Sequence, residues 1–322
     1  MKFTAAAVLA ASMSVASAAS QSEFSEFMTK YRKAYQTPAE HQNRLEIFEK
    51  NLAIIEERNA AEIAAGGEAV HGINEFADLH PDEFRSMFLG SDVSLKTGDR
   101  QIMEDLPPYD ASEEVDWTGV LTTPVKNQRQ CGSCWAFSAT EQLESDIMRN
   151  TQTTLELSPQ QTVSCDKTSQ GCNGGWTESA YKYMMNAGGV EQESDYPYRS
   201  WIGNSGTCKA DSSKAAATLT GFTTVSGEDN MASYVQSTGP LSVCLDASTW
   251  NSYTGGVMRV CGNSVDHCVQ AVGVLPDSTT GYWKVRNSWG GSWGEDGTIR
   301  LAFGGNTCDI TNDPTWTDAT LV

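Results

Sequence analysis

Apolar residues recur at helical spacing in the front third of the chain and at strand spacing in its last third. After Pro38, Leu45, Phe48, Leu52, Ile55 and Ile63 fall on one helical face, and Gly66-Gly67 ends the pattern. The spacing predicts one long helix there, within a stretch (23–89) that is helical and charged as a whole. A short piece at Val70–Phe76 reads as β-like, and Pro81 opens another short helix. From Gly90 to Pro108 the pattern dissolves into polar turn residues, Gly90-Ser91-Asp92 and Lys96-Thr97-Gly98-Asp99 among them. Such a stretch predicts an exposed linker of the kind proteases cut. Beyond it, helix signals cover Cys134–Asn150 and, after the glycine turn Gly171–Gly175, Glu178–Asn186. Short strands punctuated by glycine follow at Leu241–Leu245, His267–Val274 and Tyr282–Val285. Helices first and strands after predict an α+β fold: a helical lobe (about 117–215) meeting a β lobe (about 216–322) at a cleft. The sequence contains no internal repeat and no low-complexity tract.

The N-terminus adds a compartment. Lys2, the small and apolar run Ala5–Val15, and Ala16-Ser17-Ala18 have the form of a cleaved signal peptide, residues 1–18. The expected route is therefore the secretory pathway, ending in a lysosome, an acidic vacuole or the medium. With 41 acidic against 22 basic side chains the net charge is −19, which argues against nucleic acid or an anionic membrane as a partner. All nine cysteines lie between Cys131 and Cys308, so the front module is free of disulfides. An odd count in an oxidising compartment leaves at least one thiol over.

Cys134 stands where the pattern turns helical, and a helix N-terminus favours thiolate over thiol. A thiolate that attacks a peptide carbonyl requires an imidazole to protonate the leaving amine. Of four histidines, His41, His71 and His80 precede the linker; His267 alone follows it. A third group must orient that imidazole, and Asn287, followed by Ser288 and Trp289, offers an amide beside a shielding aromatic. Two other chemistries fit less well. Cys131-Gly132-Ser133-Cys134 has redox-pair spacing but leaves His267 idle, and no second Cys-X-X-Cys exists to complete a zinc site, so no metal or cofactor is expected.

The segment Gln128–Ser138 resembles the active-site block of papain-family cysteine proteases, with glutamine six residues before the nucleophile. Glu40, Arg44, Ile47, Phe48, Asn51, Ile55 and Asn59 resemble the prosegment helix of the cathepsin L-like branch, and Gly72–Asp78 its second prosegment motif. The resemblance implies a two-lobed papain-like fold behind an inhibitory prosegment (19–105), with the peptidase at 106–322. It implies Cys134 as nucleophile, His267 as proton carrier, Asn287 as orienter, and Gln128 with the Cys134 N–H as oxyanion hole. Implied substrate-binding positions are Gly174, Gly175, Trp176, Cys244, Asp266, Cys268, Trp289 and Asp313, the last an acid at the floor of the pocket for the second residue before the cut. Implied bridges are Cys131–Cys172, Cys165–Cys208 and Cys261–Cys308. Cys244 and Cys268 depart from the family pattern and are left open between a fourth bridge and two buried thiols. No histidine is available for the occluding loop of dipeptidyl carboxypeptidase relatives, so the expected activity is endopeptidase, acid-activated from a monomeric zymogen. The expected partners are protein and peptide substrates and the chain's own prosegment; the alternative is a catalytically silent papain-like binding protein. Asp78, near His80 and Asp82, is expected to belong to a pH-sensitive hold.

Overall fold

The computed structural model describes residues 20–97 and 101–322. The expected signal peptide and Gly98-Asp99 of the expected linker lie outside the described residues.

The front module is built on crossed helices. Helix α1 (residues 20–31) precedes α2 (Pro38–Ala64), whose start is a reciprocal cap. Thr37 accepts the Glu40 N–H at 3.1 Å, and the Glu40 carboxylate reaches back to the Gln36 N–H at 2.7 Å. Pro38 sits in the first turn, where no intrahelical bond is lost. Phe24 and Phe27 of α1 pack on Leu45 and Phe48 of α2, with Ala77 closing the cluster. Helix α3 (Pro81–Phe88) opens with a similar exchange, Glu83 bonding the His80 N–H at 2.8 Å.

The strand expected at Val70–Phe76 does not form. His71 makes one isolated bridge to Tyr253, and residues 75–78 turn. Asn59 takes both backbone groups of His71 (2.8 and 2.9 Å), and the Asn74 side chain accepts the Phe76 N–H at 3.0 Å. Side chains thus use the bonds a ladder would have used.

In the remainder, α4 (Cys134–Thr151) is the central helix, with α5 (Pro159–Cys165) and α6 (Thr177–Asn186) beside it. The strands are β1 (Gln101–Met103), β2 (Val115–Asp116), β3 (Ala217–Val225), β4 (Leu241–Leu245), β5 (Val257–Met258), β6 (His267–Leu275), β7 (Tyr282–Arg286), β8 (Thr298–Ala302) and β9 (Thr315–Leu321). They form one sheet in the order β1-β3-β9-β4-β6-β7-β8-β5, with β2 on β6. Pairing is antiparallel apart from β1–β3 and β5–β8 at its two ends. Helix α7 (Glu228–Ser237) covers β6. One apolar core lies between α7 and the sheet; a second, under α4 and α6, also takes Ala217, Leu219, Phe222 and Ala319 from β3 and β9.

Helix α4 is buried from Cys134 to Met148 although one side is polar. That side faces the β lobe. Ser138 donates to Ser242 or the Val269 carbonyl (2.7 Å), Gln142 donates to the Pro240 carbonyl (3.0 Å), and Gln270 donates to Gln142 (3.0 Å). Arg286 lies 3.6 Å from Glu141, and Lys126 2.9 Å from Glu144. Ser138, Gln142 and Glu141 meet counterparts from the β lobe, while Lys126 of the helical lobe neutralises Glu144, and the cross-lobe contacts fix how the lobes meet.

The stretch after α3 corrects the expected exposed linker. Gly90–Asp92 passes between the lobes, Val93–Leu95 forms a single 3-10 turn, and β1 adds a parallel edge to β3. Among the described residues the expected exposure holds from Gln101 and Ile102 onward and through 104–114. The polar composition of Gly90–Asp92 reflects main-chain docking rather than solvent.

Candidate active site

Cys134 is the first residue of α4, and Ser133 before it makes no side-chain cap, so the helix presents its N–H groups uncovered. It is the free cysteine among the described residues. The helix N-terminus was expected to lower its pKa, but the net direction is the opposite. Burial pushes the thiol up to about 12, outweighing the N–H groups of Cys268, Gly90 and Trp135 around the sulfur.

His267 opens β6, fully buried. Its Nε2 lies 2.8 Å from Asn287 Oδ1, which also accepts the Ser288 N–H at 2.8 Å. The amide oxygen therefore faces the ring, Nε2 carries the proton, and Nδ1 is the basic nitrogen. Among the described residues Nδ1 has no hydrogen-bond partner. Burial draws the imidazole down to about 4 against the Asn287 bond that raises it. Trp289 covers the pair, its ring centroid 4.9 Å from the imidazole, while Trp250 meets His267 edge-on at 6.0 Å. Sequence reasoning anticipated Trp289; it missed Trp250, which carries no local motif.

Gln128 is oriented at both ends of its amide. Its Oε1 accepts from Ser288 Oγ at 2.6 Å, which aims Nε2 at the Cys131 carbonyl (2.8 Å) and at the Phe88 carbonyl (3.0 Å). Ser288 was legible only as a spacer between Asn287 and Trp289.

The segment after α3 lies across this group as main chain. Gly90 and Ser91 donate to the Asp266 carbonyl at 3.0 and 3.1 Å, Gly175 donates to the Gly90 carbonyl at 2.9 Å, and Asp92 donates to the Gly175 carbonyl at 2.8 Å. Ser91 pairs with Gly175 in parallel. The approach is close enough to require glycine: a Cβ on Gly90 would sit 2.1 Å from the Gly132 oxygen. Phe76, Phe84 and Phe88 stack edge-on against Trp289 at 5.6, 5.2 and 6.1 Å, so the front module docks on the aromatic shield itself.

Beyond Gly175, Trp176, Cys244 and Cys268 form a buried cluster against which Leu95 and Val265 pack. Cys244 and Cys268 face each other on β4 and β6 and are joined, which closes the question left by the sequence. The three expected bridges, Cys131–Cys172, Cys165–Cys208 and Cys261–Cys308, are also formed. Trp176 Nε1 donates to buried Asp313 at 2.9 Å, and Lys96 Nζ lies 3.8 Å from the other carboxylate oxygen. Gly174 faces the Gly90 carbonyl. Asp266 turns its carboxylate to the Ala247 N–H (2.9 Å) and Arg85 (3.4 Å), and burial raises it to about 7.

The expected Asp78 cluster is not assembled as such. Asp78 bonds Lys33 and Tyr35, both at 2.8 Å, while His80 caps α3 through the Asp82 N–H. Among the described residues no group of acidic, cysteine or histidine side chains gathers as a metal site, and no helix is long and apolar enough to cross a membrane.

A thiol at a helix start, an amide-locked imidazole and an N-terminal module threaded through the cleft define a thiol peptidase kept latent by its own chain. Residues 111–317 match the family model of papain family cysteine proteases, and residues 24–84 that of the cathepsin propeptide inhibitor domain. The chain belongs to the papain family, as a cysteine endopeptidase zymogen. Its relatives include Cysteine proteinase 1 of Dictyostelium discoideum, 38% identical over 320 residues and covering 91% of each chain. Cysteine proteinase A of Leishmania mexicana is 38% identical over 299 residues, 90% of this chain and 83% of that one. Among solved structures, digestive procathepsin L 3 of Tenebrio molitor larval midgut superposes with a TM-score of 0.79 at 33% identity, covering 92% of this chain and 98% of that one. The recombinant stem bromelain precursor gives 0.79 at 32% identity with the same coverage.

Proposed function

We propose that Cys134 and His267 form the thiolate–imidazolium pair of this endopeptidase. The thiolate attacks the scissile carbonyl carbon, and the Gln128 amide with the Cys134 N–H receives the oxyanion. Imidazolium gives its proton to the departing amine, leaving a thioester on Cys134. Neutral imidazole then takes a proton from water, whose oxygen attacks the thioester, releasing the carboxylic acid and restoring the pair. Asn287 holds the ring and Trp289 covers that bond. Gly174, Gly175 and Asp266 bind substrate main chain. The side chain second before the cut enters beside Trp176, Cys244 and Cys268, above Asp313. The observation that supports this reading is the Phe88 carbonyl on the Gln128 amide, a peptide oxygen bound by one of the two proposed oxyanion donors.

The zymogen is read as a signal peptide (1–18), a prosegment (19–105) and a monomeric peptidase (106–322) that acts in an acidic vacuole, a lysosome or the medium. The pocket preference is mixed, apolar and basic. Leu95 on the pocket cluster and Lys96 beside Asp313 support both halves.

Acid incubation of the precursor with a mild thiol, beside Cys134→Ala, tests the reading. Wild type sheds about the first 105 residues and gains hydrolysis of Phe, Leu and Arg substrates; the variant does neither. A variant that matures and cleaves would remove Cys134 from the mechanism.

A further inference from the structure

One wall of the specificity pocket is made of sulfur. Cys244 and Cys268 are directly opposed in the β4–β6 ladder and joined, and both are fully buried. They pack on Trp176, and Cys244 Sγ lies 3.8 Å from Thr177 Oγ1 in the first turn of α6. The bridge therefore spans the floor of the seam between the lobes. The next ladder pair is Leu245 with His267, so the bridge clamps the histidine strand one residue from the imidazole. Of the two partly buried residues packed on this cluster, Val265 belongs to the peptidase and Leu95 to the cleft-crossing segment. When the prosegment leaves, the surface Leu95 covered is the surface an incoming side chain meets.

We infer that the Cys244–Cys268 disulfide is a reducible, specificity-determining wall of this pocket, shielded by Leu95 in the zymogen and exposed in the processed enzyme. The inference rests on the protease reading above. Bonded sulfurs are about 2 Å apart, whereas two thiols separate to non-bonded contact, roughly twice that. Opening the bridge thus forces at least one sulfur to rotate, reshaping the wall and removing the covalent tie between β6 and β4 at the catalytic end while their ladder stays paired. The step is a two-electron exchange with a dithiol. One reductant sulfur attacks a bridge sulfur, the second closes the reductant's own disulfide, and two protons end on Cys244 and Cys268.

The test compares acid-processed full-length wild type with Cys244→Ala/Cys268→Ala, each normalised by active-site titration. It reads the ratio of kcat/KM for Phe against Leu at the second position before the cut. Removing both sulfurs should raise the ratio by about tenfold, the discrimination that small changes of pocket space carry. In wild type the ratio should move on graded dithiol treatment; in the double variant it should not. A Cys165→Ala/Cys208→Ala control, which removes a bridge in α5, should keep the wild-type ratio. An equal shift in that control would overturn the inference, as would an active wild type whose ratio ignores the dithiol. A wild type that cleaves nothing would overturn the protease reading and this inference with it. If the double variant does not fold, mass-tagging of wild type decides. Dithiol followed by alkylation should label Cys244 and Cys268 about tenfold faster in the processed enzyme than in the zymogen, by the thiol-access argument. Equal labelling would overturn the shielding.

Discussion

Gly90→Ala should unlock the zymogen. The added Cβ would stand 2.1 Å from the Gly132 oxygen and 2.4 Å from its carbonyl carbon, where ordinary contact begins at 3.4 Å. Both groups are backbone, so relief requires the cleft-crossing segment to move by more than an ångström. Displacement on that scale breaks bonds that now stand at 2.9–3.1 Å: Gly90 and Ser91 to the Asp266 carbonyl, Gly175 to the Gly90 carbonyl, and Gln128 to the Phe88 carbonyl. Losing two or three, at about 1 kcal/mol net each, weakens closure by about 2–3 kcal/mol. With about 1.4 kcal/mol per factor of ten, the open population rises about 30- to 150-fold. The assay is the time course of self-processing at neutral pH, followed by mass and by hydrolysis. Gly305→Ala, where a Cβ meets nothing nearer than 3.9 Å, is the control. A Gly90→Ala precursor as latent as wild type would show that closure is not held by this main-chain contact.

Three further outcomes follow from the same geometry. His71 of the prosegment is buried against Ser252 and beside Arg58, and burial with that charge lowers it to about 4 from an ordinary 6.5. Docking of this group is therefore fully favourable above pH 6.5 and weakens as pH falls toward about 4, by about thirtyfold at pH 5. Buried Glu62, raised by burial, works in the opposite direction; His71→Gln should thus move the activation profile to lower pH, and an unmoved profile would excuse His71. Asp313→Asn keeps an acceptor for Trp176 but removes the charge, so hydrolysis after Arg at the second position should fall about tenfold while Leu is spared. Equal losses on both would mean that Asp313 only props Trp176. Cys134 in the zymogen, with its thiol near 12, should alkylate at neutral pH at least about a hundredfold more slowly than after processing. Equal rates would mean that the prosegment leaves the sulfur accessible and ionised.

Long helices and the candidate reacting residues were legible because each follows from a local rule. Pro38 and Gly66-Gly67 bound α2 in the sequence, and Cys134, His267 and Asn287 stand out by type and scarcity. The polar side of α4 was not legible. Glu141, Gln142, Glu144 and Ser145 alternate with apolar residues as a solvated face would, and only partners distant in sequence, Arg286 and Gln270 of the opposing lobe and Lys126 before α4, turn that face inward. The polar run after Phe88 misled for a related reason. Its glycine and serine read as solvent-facing turn residues, whereas small side chains there allow main chain to lie on Gly132 and Gly175. The Cys244–Cys268 pairing required a register, and a shift of one residue would have placed the two sulfurs on opposite faces.

Latency in this chain has a steric and an electrostatic layer, and one burial event supplies both. The segment that blocks Cys134 also excludes water from it. Burial pushes the thiol up and draws the imidazole down, so closure of the cleft favours the neutral form of each. A neutral pair can neither attack a carbonyl nor protonate an amine. On the proposed mechanism neither charge is stable without the other, so rehydration is expected to ionise them together, the sulfur losing the proton that the imidazole gains. Acid alone, acting on His267 with the cleft closed, would protonate the ring while leaving the thiol neutral, and so produce no nucleophile. The proposed mechanism therefore places the acid step at a distance, on groups such as His71 that hold the prosegment, with the pair armed as a consequence of opening.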